Sequence, residues 1–341
     1  MNNLRPAGWF GFGVGLLFLA LNLGPWLLGA PESVAPPSEP PATKIFHEPR
    51  TEPPAFTLVG AGDIASCVDL SGAEATARLI DNIPGTVFAL GDLAYEQGTE
   101  AEFRDCYGPT WGRFKERTRP APGNHEYSGS DGGGYFRYWG EQAGDPRKGY
   151  YSYDLGNWHV VVLNTNCKAK GLGGCGEGSP EETWLKRDLL DHPGACIVAY
   201  GHHPLFSSGF LPAHARNQEL RVLWRDLYAA HADVVLAGHE HSYERFAPQD
   251  PDGKEDRANG IRQFTVGTGG KNHTPLGFPQ PNSEVRNSDT FGVLKLTLSP
   301  ERYEWEFVPE AGKSFRDSGT GGCHNRPDHP SSGRIWALPP P

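Results

Sequence analysis

VVLAGHEHSYER, residues 234–245, is the stretch on which the reading of this chain turns. Four apolar residues, Val234 to Ala237, run into Gly238, and His239 and His241 follow with one residue between them. Taken alone, this is a strand end and a turn that carries two histidines. The pattern repeats, however. FTLVGAGD (56–63) ends at Asp63 and TVFALGD (86–92) at Asp92. RPAPGNHE (119–126) reaches Asn124, His125 and Glu126, and CIVAYGHH (196–203) reaches His202 and His203. In every case a glycine comes immediately before the first polar residue: Gly62, Gly91, Gly123, Gly201 and Gly238. Four of the five apolar runs have the length and composition of buried strands.

Three of the intervening segments have helical spacing: AEATARLIDN (73–82), EETWLKRDLLDH (181–192) and QELRVLWRDLYAAH (218–231). In the last, Leu220, Leu223, Leu227 and Tyr228 share one face. Strands alternating with helices predict an α/β sheet, whose ligand site lies outside the carboxyl ends of its strands. A glycine there lets the backbone turn sharply and approach a ligand. The repeat therefore aims two Asp, one Asn and at least three His at one place. Such nitrogen and oxygen donors without a thiolate suit Zn, Fe or Mn. They are too many for one four-coordinate zinc with an open position. Two ions about 3.5–4 Å apart, sharing a bridging carboxylate, would use them all. A pair of that kind suits phosphoester hydrolysis, because it activates water and neutralises charge on the phosphoryl oxygens. No P-loop of the GxxxxGK[ST] form and no GxSxG elbow occurs, so neither that kind of nucleotide phosphoryl transfer nor serine esterase chemistry is supported.

The ordered set GDIA, GDLAY, GNHE, GHHP and GHEH resembles the motif series GD…GD…GNH[ED]…H…GHxH of the calcineurin-like metallophosphoesterases, over roughly residues 56–309. The resemblance implies two stacked mixed β-sheets flanked by helices, an α-β-β-α sandwich, with a dimetal site at the strand ends. Tyr95, three residues after Asp92, and HSYER (241–245) are similar to the purple acid phosphatase branch, in which a tyrosine binds a ferric ion and gives the colour. Carried over by motif, this places one metal on Asp63, Asp92, Tyr95 and His241. The other falls to Asp92, Asn124, His202 and His239, with Asp92 bridging. The implied pair is Fe(III) with Fe, Zn or Mn. Tyr95 has the alternative of a buried aromatic beside the metals. His202 takes the ligand role over His203 because H-x-P matches the fourth motif. His125 and Glu126 are expected to orient Asn124 and to hydrogen-bond the bound phosphate. His203 either touches a ligand or faces solvent.

The implied function is hydrolysis of phosphate monoesters, in the manner of an acid phosphatase, by attack of a metal-activated hydroxide with no protein nucleophile. A phosphodiesterase or nucleotide pyrophosphatase on the same site is the first alternative. A non-catalytic, metal-stabilised surface binding module is the second. Three departures from the branch stand out. GDIA has Ala65 where the branch has glycine. In place of a pair of substrate-facing histidines there is only His214, in SSGFLPAHARN, as proton donor, phosphate contact or a surface histidine. The segment before residue 56 is too short for the extra β domain of plant-type members, so a single catalytic domain is expected.

The 341 residues carry a net charge of -10, which argues against nucleic acid or an acidic membrane surface as an electrostatic partner. The partner implied is a small phosphorylated substrate, and no protein partner is indicated. Residues 1–30 read as a signal peptide or membrane anchor: Arg5 precedes an uncharged stretch, Trp9 to Ala30. Leu28 and Pro31 around Ala30 make a poor cleavage site, which favours the anchor. A Pro-rich linker (31–55), the catalytic domain (56–310) and a Gly/Pro-rich tail (311–341) follow. Six cysteines fit export to the periplasm, cell surface or medium. They allow 15 connectivities, of which a short Cys167–Cys175 loop around KAKGLGG is the plausible element. Cys323 suggests that the tail is pinned to the domain. DGGGYFRYWG (131–140) is left open between a lid and a core segment, and YYSYDLGNWHVVVLN (150–164) is expected in the core.

Overall fold

The structure is a computed structural model that describes Gly29 and residues 54–129, 131–209 and 219–325. The chain divides into two units, Met1–Thr51 and Glu52–Pro341, and only the second is described in any length. The expected anchor and most of the linker lie outside the described residues, as do His214 and residues 326–341. Among the described residues, no helix is long and apolar enough to cross a membrane.

Among the described residues, fifteen strands form two large sheets and one small ladder. In the six-stranded sheet, β1 (Phe56–Ala61), β3 (Thr86–Leu90) and β5 (Thr118–Ala121) run parallel, in the order β1-β3-β5. Beyond β1 come β13 (Gly292–Ser299), β14 (Arg302–Pro309) and β15 (Ser318–Gly322), all antiparallel to their neighbours. The seven-stranded sheet has the order β12-β10-β11-β9-β8-β7-β6. Its strands are β6 (Tyr151–Leu155), β7 (Trp158–Val162), β8 (Cys196–Tyr200), β9 (Val234–Ala237), β10 (Tyr243–Phe246), β11 (Arg262–Val266) and β12 (Ser283–Asn287). Within it β7, β8, β9 and β11 are parallel. The two-residue strands β2 (Ala65–Ser66) and β4 (Ala94–Tyr95) pair beside the site.

Strand period fixes the layers. Val160, Val162, Val198, Tyr200, Val234 and Leu236 belong to the main core with Leu58, Phe88 and Leu294 of the other sheet. Their neighbours Val161, Ile197, Ala199 and Val235 belong to a second core with Leu185, Leu223 and Leu227. The central strands are thus apolar on both faces, as expected of covered parallel strands. The second core is roofed by α5 (Pro180–Asp191) and α6 (Leu220–Ala229), which pack on one another. Ser179 caps α5 by accepting the Glu182 N–H at 3.2 Å, and Pro180 occupies its first turn. On the other side α1 (Ser71–Ile80) packs against β13. The result is the expected α-β-β-α sandwich.

One expectation needs revision and one open alternative is decided. The body does not end at residue 310. β15 extends the first sheet, and Cys323 is bonded to Cys196 at the start of β8. SGTGG has no apolar periodicity because its job is to be small: a Cβ at Gly319 would come within 2.3 Å of the Trp305 ring, and one at Gly321 within 2.2 Å of Tyr303. DGGGYFRYWG forms α4 (Gly133–Trp139), a core segment rather than a lid: Tyr135, Phe136 and Trp139 are buried in the main core. YYSYDLGNWHVVVLN supplies β6 and β7, as expected. Cys167–Cys175 forms, and Cys67–Cys106 completes the three disulfides.

Candidate metal centre

The carboxyl ends of five parallel strands, from both sheets, converge on one place. β1 delivers Asp63, β3 delivers Asp92, and β5 delivers Asn124 on the short α3 (Asn124–Ser128). From the other sheet, β8 delivers His202, and β9 delivers His239 and His241. The glycines are needed for close approach. Gly91 has φ +80°, and a Cβ there would stand 2.7 Å from His202 Nδ1; one at Gly123 would stand 2.2 Å from Asp92 Oδ1. Three of the polar residues are themselves in the left-handed region: Asp63 (φ 60°), Asp92 (φ 52°) and His239 (φ 71°). Non-glycine residues rarely adopt it, and such strain clusters at functional sites.

Donor atoms fall into two sets joined at one oxygen. In the first, Tyr95 Oη lies 2.9 Å from Asp63 Oδ1, 3.2 Å from Asp92 Oδ2 and 3.1 Å from His241 Nε2. His241 Nε2 is 3.2 Å from Asp63 Oδ1. In the second, His202 Nε2 lies 3.1 Å from Asp92 Oδ2, 3.1 Å from Asn124 Oδ1 and 3.2 Å from His239 Nδ1. Two ligands bound about 2.1 Å from one ion stand roughly 3.0–3.4 Å apart. The spacing and the N/O donor types therefore fit two metal ions, with Asp92 Oδ2 common to both sets.

Hydrogen bonds behind the donors orient them. His202 Nδ1 donates to the Leu90 carbonyl at 2.7 Å and His241 Nδ1 to Asn272 Oδ1 at 2.9 Å, which turns each Nε2 toward the cluster. The His239 N–H donates to Asp63 Oδ2 and the His125 N–H to Asp92 Oδ1, each at 2.8 Å. Fully buried Glu126 accepts the N–H groups of Asp92 and Leu93 at 2.8 Å and of Gly123 at 2.7 Å. It therefore holds the loops of Asp92 and Asn124 in register. His125 Nδ1 donates to the Glu96 carbonyl at 2.6 Å, and its Nε2 stands 3.9 Å from Asp92 Oδ2, beside the donors but outside both sets. His203 is not simply exposed: its Nδ1 is 3.0 Å from Thr165 Oγ1, and its ring lies 4.5 Å from that of His239.

The charges explain why this cluster wants a cation. Burial raises the Asp92 pKa, but His202 and His125 outweigh it and hold the carboxyl below the usual range. Burial opposes charge on His202, yet Asp92 pushes it up to about 9. Burial together with Asp63 and Asp92 pushes the Tyr95 phenol well above its ordinary value. Burial, His202 and His203 push His239 down to about 2. Protons on His202 and Tyr95 thus hold anionic oxygens together. A metal cation does the same with more charge and displaces those protons.

Several residues at the site are not evident from the motifs. Asn272 and Lys271 come from the loop after β11, in FTVGTGGKNH (264–273). The Lys271 N–H donates to the Asp63 carbonyl at 2.9 Å. Thr165, after β7, accepts the N–H groups of His202 and His203 at 3.1 and 2.9 Å. No glycine-plus-ligand pattern marks either loop.

A calcineurin-like phosphoesterase family model matches residues 56–243. The chain belongs to that family. Within it, relatives are purple acid phosphatases. Purple acid phosphatase 23 of Arabidopsis thaliana is 30% identical over 206 residues, 49% of this chain and 43% of that protein. Probable inactive purple acid phosphatase 9 of the same plant is 25% identical over 286 residues, 67% of this chain and 42% of that protein. Its Fe(3+)-Zn(2+) purple acid phosphatase 12 is 23% identical over 284 residues, 73% and 58% of the two chains. The chain spans about half the length of such relatives. In fold, this calcineurin-like phosphoesterase resembles purple acid phosphatase PPD1 of yellow lupin, with a TM-score of 0.62 at 18% identity over 78% of this chain and 53% of that one.

Proposed function

We propose that this chain hydrolyses phosphate monoesters outside the cytoplasm at a two-metal centre. The observation that carries the reading is the pair of donor sets sharing Asp92 Oδ2. Asp63, Asp92, Tyr95 and His241 would hold a ferric ion, and Asp92, Asn124, His202 and His239 would hold Fe, Zn or Mn. When bound, the metals supply Lewis acidity: they lower the pKa of water and neutralise phosphoryl charge. The chain's own residues do the rest. Glu126, Asn272 and the Leu90 carbonyl fix the ligands. His125, with Nε2 beside Asp92, hydrogen-bonds a phosphoryl oxygen. His203, steadied by Thr165, flanks the other side through its contact with His239. His214 gives a proton to the leaving oxygen. Three disulfides support an oxidising compartment.

The test uses the full chain loaded with iron and zinc. About two ions per chain, a visible band lost in Tyr95→Phe, and faster turnover of an aryl phosphate than of the matched diester are expected. Faster diester cleavage moves the reading to a phosphodiesterase. A second reading, a metal-stabilised binding module, is favoured by the relative named as probably inactive; metal-loaded protein without turnover of either ester would establish it.

A further inference from the structure

The Tyr95 ring is flanked by two groups from different loops. His125 stacks obliquely on it, with centroids 4.5 Å apart. The Lys271 ammonium lies 4.5 Å from the ring centroid, over its face. Two partners hold that ammonium: Ser66 Oγ at 3.2 Å and the Glu96 carboxylate. The backbone helps, because the Lys271 N–H is bonded to the Asp63 carbonyl. Glu96 ties the two flanking groups together, since its carbonyl accepts from His125 while its carboxylate pairs with Lys271. The Lys271 side chain is 16% exposed and that of Glu96 58% exposed. The carboxylate is therefore screened by water, while the ammonium faces a buried ring. A cation over an aromatic face is attracted by its π electrons, and more so when desolvated.

We propose that Lys271 is a positioning residue for the electronic state of Tyr95: its ammonium stabilises the phenolate of a metal-bound Tyr95 and thereby sets the energy of the phenolate-to-iron charge-transfer band. It rests on Tyr95 being a ligand, as proposed above. Two carboxylates, Asp63 and Asp92, crowd the phenolic oxygen and oppose negative charge there. A cation applied to the ring offsets that repulsion and leaves the oxygen free for the metal. It lowers the filled π orbital from which the charge-transfer transition starts, so it moves the band to shorter wavelength. A purely structural lysine would hold the loop without moving the band.

The experiment records the visible spectrum and metal content of the iron- and zinc-loaded full chain and of four variants. Lys271→Met and Lys271→Gln should keep both ions and shift the band to longer wavelength by on the order of tens of nanometres, as expected for removing a unit charge this close to the ring. Lys271→Arg, which keeps the charge, should lie near the wild type. Glu96→Gln removes the opposing charge while Ser66 Oγ and the backbone bond to Asp63 still hold Lys271, and it should shift the band to shorter wavelength. Full metal content with an unmoved band in Lys271→Met, Lys271→Gln and Glu96→Gln overturns the proposal while the wild-type colour upholds Tyr95 as a ligand. A colourless wild type with two ions overturns both, and so separates the two failures.

Discussion

Asn272→Ala is expected to weaken metal retention at the His241 position about tenfold. Asn272 Oδ1 stands 2.9 Å from His241 Nδ1, and this bond selects the tautomer whose bare Nε2 faces Asp63 and Tyr95. Removing the partner of a ligating histidine costs roughly 10–100-fold in metal affinity, or about 1.4–2.8 kcal/mol. The His241 side chain keeps 15% of its surface, so water can replace the lost acceptor, which puts the effect at the low end. His202 contrasts with it: fully buried, it leans on the Leu90 carbonyl, which no side-chain substitution removes. Asn272→Asp substitutes a charged acceptor and should restore or tighten retention. The assay equilibrates metal-loaded protein against a graded chelator, counts ions per chain by mass spectrometry and checks the fold by circular dichroism. A wild-type retention curve for Asn272→Ala, or an aspartate variant weaker than the alanine one, refutes the argument that this loop orients His241.

Asp92→Ala should empty both metal positions and abolish turnover, read as ions per chain and ester hydrolysis; retention of one ion at full occupancy would show that the sets are independent. His159 sits between Asp154 and Asp188, with 2.8 Å contacts to each. Burial opposes its charge, but Asp188 and Asp154 win and hold its pKa above the usual value. Its stabilisation is therefore complete below about pH 6.5 and fades as pH rises through the higher folded-state value. In urea titrations the deficit of Asp188→Asn, about 2 kcal/mol at pH 6, should narrow by pH 9; a deficit that widens with pH would contradict the assignment. Cys323→Ser opens a disulfide spanning 127 residues and should cost about 2–5 kcal/mol. An unchanged melting temperature would mean that β15 holds without it.

The sandwich and the donor set were legible because a short apolar run, a glycine and a ligand residue recur five times. That pattern records both strand period and close approach, and each run proved to feed one site. What the motifs could not give was the support behind the donors. Asn272 and Thr165 act through side-chain hydrogen bonds from loops whose neighbours in space lie far away in sequence. β15 was missed because its pairing is through the backbone and its glycines serve the rings of Trp305 and Tyr303, which leaves no apolar rhythm. The glycines of DGGGYFRYWG left its role open between a lid and a core segment, and Tyr135, Phe136 and Trp139 decide it by filling the core.

Each donor set draws on both sheets: Asp63, Asp92 and Asn124 stand on one, and His202, His239 and His241 on the other. The spacing of the donors is therefore a caliper on how the sheets are stacked. Trimming an inter-sheet residue such as Leu58 or Val160, far from any donor, should register as weakened ion retention before it registers as unfolding. Bound ions would in turn rivet the layers against sliding, so that loading the centre stiffens strands that never touch it.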